Sequence, residues 1–314
     1  MDRHNRLMRN KLSSYLKGKR VAIVGPAPSV VGSKQAELIN SYDVVVRLNK
    51  ALPIPKELRE DVGTRCDILY NCMNPSEECG GVINISTLKK CKVKYLIGAY
   101  PPLDKVGNTK LRIKSDTITF YTKNRSNWKN FCYTDKGHFL KLWKHMRLPN
   151  TGTMAILDLL RFDIKELYIT GITFFKGGYI RTYRDYDENG ILTHLKKFNL
   201  HKPSKQLDFA CKQLTADSRV KMDDTLTKIV RKRYAVLNGD KVQNDEQAKE
   251  DDNEDDNEDG DDYEDDNDEN NEQDDLENEE DNGQNLHQKE DIRDFSDDTL
   301  EKMSSSSISI FARG

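Results

Sequence analysis

Short apolar runs, each closed by a small or polar residue, punctuate the first half of the chain. They are RVAIVG at Arg20–Gly25, DVVVRL at Asp43–Leu48, CDILY at Cys66–Tyr70, KYLI at Lys94–Ile97 and LYITGI at Leu167–Ile172. Continuous apolar runs of this length, without alternation, read as strands buried on both faces. TITFY at Thr117–Tyr121 adds a further strand by its β-branched and aromatic content. Between them, Val31–Asn40 reads as a short helix, Asn124–Met146 as broken but mostly helical, and Thr153–Arg161 as an amphipathic helix. Phe174–Leu200 is a long loop rich in aromatic, basic and glycine residues, followed by helices at Pro203–Thr215 and Thr225–Leu237. Strands alternating with helices predict an α/β fold with a parallel core sheet. The long loop is expected to be functional, since its aromatics argue against simple disorder.

Charge divides the chain in a way the total conceals. The 314 residues carry a formal net charge of −3, yet residues 241–314 hold 30 of the 53 acidic and 6 of the 50 basic side chains. Residues 1–240 therefore carry about +21 and the remainder about −24. The basic part suits anionic partners such as nucleotides, acidic glycans or nucleic acid. From about Gly239 to Glu290 the chain is nearly all Asp, Glu, Asn and Gln, a composition that predicts a disordered acidic tail. The expected layout is a basic N-terminal segment at 1–18, a catalytic domain at 19–238 and the tail at 239–314. The six cysteines show no metal-ligand spacing and read as free thiols. No apolar run reaches 18 residues and the basic N-terminus lacks the apolar stretch of a signal peptide, so a cytoplasmic protein is expected.

Two turns of small residues stand out as candidate anion sites. Gly25, Pro26, Ala27, Pro28 and Ser29 follow the first strand, and Asn150, Thr151 and Gly152 precede a helix. Backbone N–H groups at a helix start hold phosphate well. The bland alternatives are an ordinary strand–helix turn and a plain N-cap. The first turn is not GxGxxG, and no acidic residue closes a strand about 20 positions on, which argues against a dinucleotide dehydrogenase. Asn49, just after the second strand and two residues from Arg47, can read a sugar hydroxyl or a base edge, or merely cap a turn. His201, read as an exposed loop residue before a helix, is a candidate general base, with His194 as its rival. Asp185 and Asp187 form an Asp-x-Asp pair of the kind that can hold a divalent cation on a nucleotide sugar, though no apolar strand leads into it.

Taken together these segments resemble glycosyltransferase family 29, the sialyltransferase family. VAIVGPAPSVVGSKQAELINSYDVVVRLNKA with the following EDVGTRCD resembles its large sialylmotif, and LPNTGTMAILDLLRFDIKELYITGITFF its small one. His201, four intervening residues and Gln206 resemble the very short motif, in which the second position is usually Glu. The cysteines that animal members place in both motifs are absent here, and Pro26 stands where those enzymes have a nucleotide-contacting Asn. The resemblance implies a Rossmann-like parallel sheet flanked by helices, the sialyltransferase-type variant of the GT-A fold. It implies inverting transfer of sialic acid or a related acidic keto-sugar from a CMP-activated donor to a glycan acceptor, with no metal and no other cofactor. His201 would be the base, while Gly25, Ser29, Asn49, Thr151 and Gly152 would bind the nucleotide sugar. Lys176, Tyr179 and Tyr183 would supply lid or phosphate contacts. Two alternatives stay open: a metal-dependent nucleotide-sugar transferase using Asp185 and Asp187, and a non-enzymatic nucleic-acid-binding protein built on the basic region. No recognisable nucleic-acid module supports the latter.

Overall fold

Seven strands form one wholly parallel sheet, in the order β7-β4-β3-β2-β1-β8-β9. They are β1 (Arg20–Val24), β2 (Val44–Leu48), β3 (Ile68–Asn71), β4 (Tyr95–Gly98), β7 (Phe131–Tyr133), β8 (Glu166–Thr170) and β9 (Val220–Met222). A two-stranded antiparallel pair, β5 (Lys105–Val106) and β6 (Thr109–Lys110), stands apart. The computed structural model describes residues 1–106, 109–111, 113–198 and 201–239. The acidic tail expected at 239–314 lies, beyond Gly239, outside the described residues. The helices are α1 (Asp2–Leu16), α2 (Ala36–Asn40), α3 (Arg59–Val62), α4 (Ile85–Lys90), α5 (Ile113–Asn124), α6 (Lys136–Met146), α7 (Thr151–Leu159), α8 (Glu188–Phe198), α9 (Pro203–Ala216) and α10 (Asp224–Leu237).

The apolar runs mark strands with both faces covered. In β1, Val21 and Ile23 join a core with Val44, Val46, Ala155, Leu159 and Leu207. Ala22 and Val24 join a second core on the opposite face, with Val45, Ile39, Leu58 and Val62. The basic N-terminal segment is helical, and Met8, Leu12 and Leu16, spaced four apart, belong to the first core. Helix α7 is not amphipathic as expected: all nine of its residues are buried. Its inward polar groups are matched instead. Asp158 takes a bidentate pair from Arg9 of α1, at 2.7 and 2.8 Å, and a hydrogen bond from the Tyr70 hydroxyl at 2.8 Å.

Other expectations fail locally. TITFY lies within helix α5, where Ile113 and Thr117 are buried and Phe120 and Tyr121 pack against the core. Spacing of four and three or four residues won over β-branched content. The helix expected at Val31–Asn40 shrinks to α2, because the Asp61 carboxylate accepts from Gly32 N and Lys34 N and folds the preceding residues into a turn. Edge strand β7 interrupts the stretch expected to be helical. Its Tyr133 N–H donates to Asn5 of α1. The loop expected over Phe174–Leu200 contains α8, whose Ile191 and Leu195 are buried at helical spacing. Strand β9 was not foreseen.

Candidate functional site

Chain order in the sheet reverses at β1: β2, β3, β4 and β7 succeed one another on one side, β8 and β9 on the other. Open parallel sheets bind ligands at such a switch point, beyond the carboxyl ends of the strands. A cavity of about 140 Å³ lies there. It is walled by Pro26 and Ala27 after β1, Asn49 after β2, Cys72 after β3, Tyr100 after β4 and Thr173 after β8. Asn150, Thr151 and Gly152 at the start of α7 complete it on one side, and Tyr179, Tyr183, Arg184, His194 and His201 on another.

The two small-residue turns play different parts. After β1, Gly25 N donates to Thr170 O and Ala27 N to Gly171 O, both at 2.9 Å, while Pro26 and Pro28 have no N–H. The turn leads into a three-residue 3-10 segment, Pro28–Val30, rather than a helix. It therefore lacks the row of free N–H groups expected of a phosphate cradle. Gly25 is required for packing: a Cβ there would lie 2.2 Å from Gly171 O. Gly25 and Ser29 are absent from this cavity's wall, and the buried Ser29 Oγ has no hydrogen-bond partner among the described residues.

The second turn keeps its donors. Asn150 Oδ1 caps α7 by accepting from Thr153 N at 2.8 Å. The N–H groups of Thr151 and Gly152 have no intrahelical carbonyl to reach and line the cavity at the positive end of the helix. Gln206, wholly buried on α9, holds this turn in place. Its Oε1 accepts from Asn150 N at 2.9 Å and Thr153 Oγ1 at 3.2 Å, and its Nε2 donates to Leu148 O at 3.2 Å.

The same Leu148 carbonyl, 2.7 Å from His201 Nδ1, fixes the histidine. A carbonyl can only accept, so Nδ1 carries the proton and Nε2 is left with a lone pair. His201 is half-buried rather than exposed as expected, with the Phe175 ring 6.1 Å away centre to centre. Burial, with Arg184 and His194 adding to it and the Leu148 hydrogen bond opposing, lowers its pKa to about 4. The imidazole is therefore neutral at physiological pH. His194 also lines the cavity, against Tyr186.

Asn49 is at the cavity with its amide already engaged: Oδ1 accepts from Cys72 N at 3.0 Å and Nδ2 donates to the Tyr183 hydroxyl at 3.2 Å. Arg47 points away from the site. It is buried and donates to the carbonyls of Arg65 and Val62, and burial lowers its pKa to about 10. The segment after β8 is pinned across the cavity. Ile180 N donates to Pro26 O at 3.0 Å, Tyr179 N to Tyr186 O at 3.0 Å, and Arg184 Nη2 to Cys79 O at 3.0 Å. Phe174 and Phe175, both on the cavity wall, have φ of 53° and 74°, a conformation bulky side chains rarely adopt outside functional sites. Lys176 is exposed and off the wall. Asp185 and Asp187 are also exposed and off it: Asp185 faces Arg181 at 3.8 Å, and Asp187 caps Gly190 N at 2.7 Å. Among the described residues no three His, Cys, Asp or Glu side chains group as metal ligands, all six cysteines are free, and no helix is long and apolar enough to cross a membrane.

Arg184 is among the cavity residues that sequence reading passed over. One basic residue among several in a loop carries no local signal. Its place is set by Tyr179 and Tyr183, whose rings it covers at 5.3 and 5.7 Å.

No curated protein matches this sequence. Among solved structures, a mammalian sialyltransferase in complex with Gal-beta-1-3GalNAc-ortho-nitrophenol is similar at 17% identity, covering 67% of this chain and 71% of that one, with a TM-score of 0.41. A second mammalian sialyltransferase structure is similar at 18% identity over 65% and 68%, with a TM-score of 0.40. Residues 7–97, from α1 through β4, match the family described as glycosyltransferase family 29 (sialyltransferase). The similarity of this chain to glycosyltransferase family 29, the sialyltransferase family, thus covers residues 7–97, the part that carries β1 to β4.

Proposed function

We propose that the switch-point cavity transfers sialic acid, or a related acidic keto-sugar, from a CMP-activated donor to a hydroxyl of a glycan acceptor, with inversion. The observation that carries this reading is the shared Leu148 carbonyl. It holds the Nδ1 proton of His201, so that in the ring that burial keeps neutral Nε2 is unprotonated, on the same cavity wall as the open N–H groups of Thr151 and Gly152. The donor phosphate sits at the start of α7, where N–H donors meet the charge that grows as the bond to the sugar breaks. The acceptor oxygen attacks the anomeric carbon from the side opposite the phosphate. Its proton passes to His201 Nε2, and CMP departs with the bonding electron pair. A bound anion favours the imidazolium that forms, raising the basicity of His201 from its value in the empty cavity. Tyr179 and Tyr183, held across the opening, exclude the water that would hydrolyse the donor.

The test is donor binding followed by turnover. CMP raises the melting temperature, and chelator leaves the shift intact. His201→Ala lowers turnover by about 10²–10⁴-fold while CMP still binds, and His194→Ala costs much less. Because the base must be neutral, kcat/KM holds as pH falls through 6.5 and declines only near pH 4, following the depressed pKa of His201. Stabilisation by UDP with Mn²⁺ but not by CMP would overturn the proposal.

A further inference from the structure

We infer that Arg184 is the anion receptor of this cavity, placed to grip a pair of anionic oxygens, either the phosphate or the sugar carboxylate of the donor. The inference deepens the proposed donor reading and rests on it for the identity of the ligand. The guanidinium has five N–H donors in a planar fork. Among the described residues one hydrogen bond is made, from Nη2 to Cys79 O at 3.0 Å, and there is no ion pair. Nε is buried without any partner. A buried donor left unpaired costs free energy unless a ligand meets it.

The surroundings favour an anion as that ligand. Tyr179 and Tyr183 lie against the guanidinium and remove water from its faces, which strengthens whatever binds its edge. Tyr183 is fixed in turn by Asn49, so the platform is rigid. Glu78 also lines the cavity, but it is exposed and makes no ion pair with Arg184 among the described residues. Planar two-point recognition of phosphate or carboxylate is the task for which Arg surpasses Lys. Arg184 also lowers the pKa of His201, so an anion on the guanidinium removes part of that effect and makes the base stronger when the donor is present.

Calorimetric titration of the full chain with a graded ligand set separates the possibilities. The ligands are cytidine, CMP, CMP-N-acetylneuraminic acid, free N-acetylneuraminic acid and inorganic phosphate. Arg184→Met is expected to bind cytidine within about twofold of wild type and to lose about tenfold or more on its anionic ligand. Weaker binding of both CMP and inorganic phosphate assigns the phosphate. Loss confined to the two N-acetylneuraminic acid ligands assigns the carboxylate. Arg184→Lys keeps the charge without the fork and recovers part of the affinity; it also serves if the methionine variant does not fold. Equal loss for cytidine and the anions, or no loss for any, overturns the inference and leaves Arg184 as a clamp on the Cys79 loop. If wild type binds neither CMP nor its sialyl derivative, the donor reading fails separately. The inference then stands if inorganic phosphate or free N-acetylneuraminic acid binds in an Arg184-dependent way, and falls if neither does.

Discussion

Replacing Gln206 by Glu should destabilise this protein, and do so in a pH-dependent way. The amide is matched at both ends: Oε1 faces the N–H of Asn150 and the Thr153 hydroxyl, and Nε2 faces the Leu148 carbonyl. A carboxylate keeps the acceptor side but sets a second acceptor against Leu148 O, in a fully buried place. Burial raises the carboxyl pKa by several units from about 4.3. A folded-state value of about 7 costs about 3 kcal/mol at neutral pH. Because the folded pKa is the higher, the penalty is absent below about pH 4.3, grows as pH rises, and levels off above the folded value. At low pH the protonated acid also donates to Leu148 O in place of Nε2. Urea unfolding of wild type and Gln206→Glu at pH 5 and pH 7.5 should show a deficit about 2 kcal/mol larger at the higher pH. Gln206→Leu removes the same bonds without a charge and should lose a pH-independent amount, about 1–3 kcal/mol for each buried group left unpaired. An equal deficit for Gln206→Glu at both pH values would refute the reasoning.

Two further substitutions probe the scaffold. Asp158→Ala leaves the Arg9 guanidinium buried without its bidentate partner and should cost about 3–5 kcal/mol in urea unfolding, with Arg9→Met, Asp158→Leu recovering much of it; a loss below about 1 kcal/mol would show that the pair contributes little. Gly25→Ala places a methyl 2.2 Å from Gly171 O, backbone against backbone, and should cost about 4 kcal/mol or more or prevent soluble expression, whereas near-wild-type melting would mean that β1 and β8 separate more easily than their pairing implies.

The sheet's five inner strands were legible because burial on both faces leaves little but apolar residues to read. Strand β7 was hidden for the opposite reason: it is a three-residue edge strand, partly completed by the Asn5 side chain of α1. The core role of α1 was present in the spacing of Met8, Leu12 and Leu16 but masked by the basic residues between them. Of the cavity wall, the small-residue turn before α7 and His201 could be picked out by residue type and motif. The packing need at Gly25 was not legible, because a glycine kept for close strand-end packing looks the same in sequence as one kept for a ligand. The structural role of Gln206 was equally invisible, since it depends on a loop 53–58 residues earlier in the chain.

The ion pair between Arg9 and Asp158 spans 149 residues, and the strand against which α1 lies begins at Phe131. During synthesis α1 leaves the ribosome well before the residues it docks on. At about 5–20 residues per second, its apolar face waits roughly 7–30 s before Asp158 is made. Its basic residues favour solubility of the helix through that interval, and its docking against α7 follows translation of the Asn150–Gly152 turn. Docking of α1 against α7 and β7 is thus a nonlocal step, of the kind that slows folding.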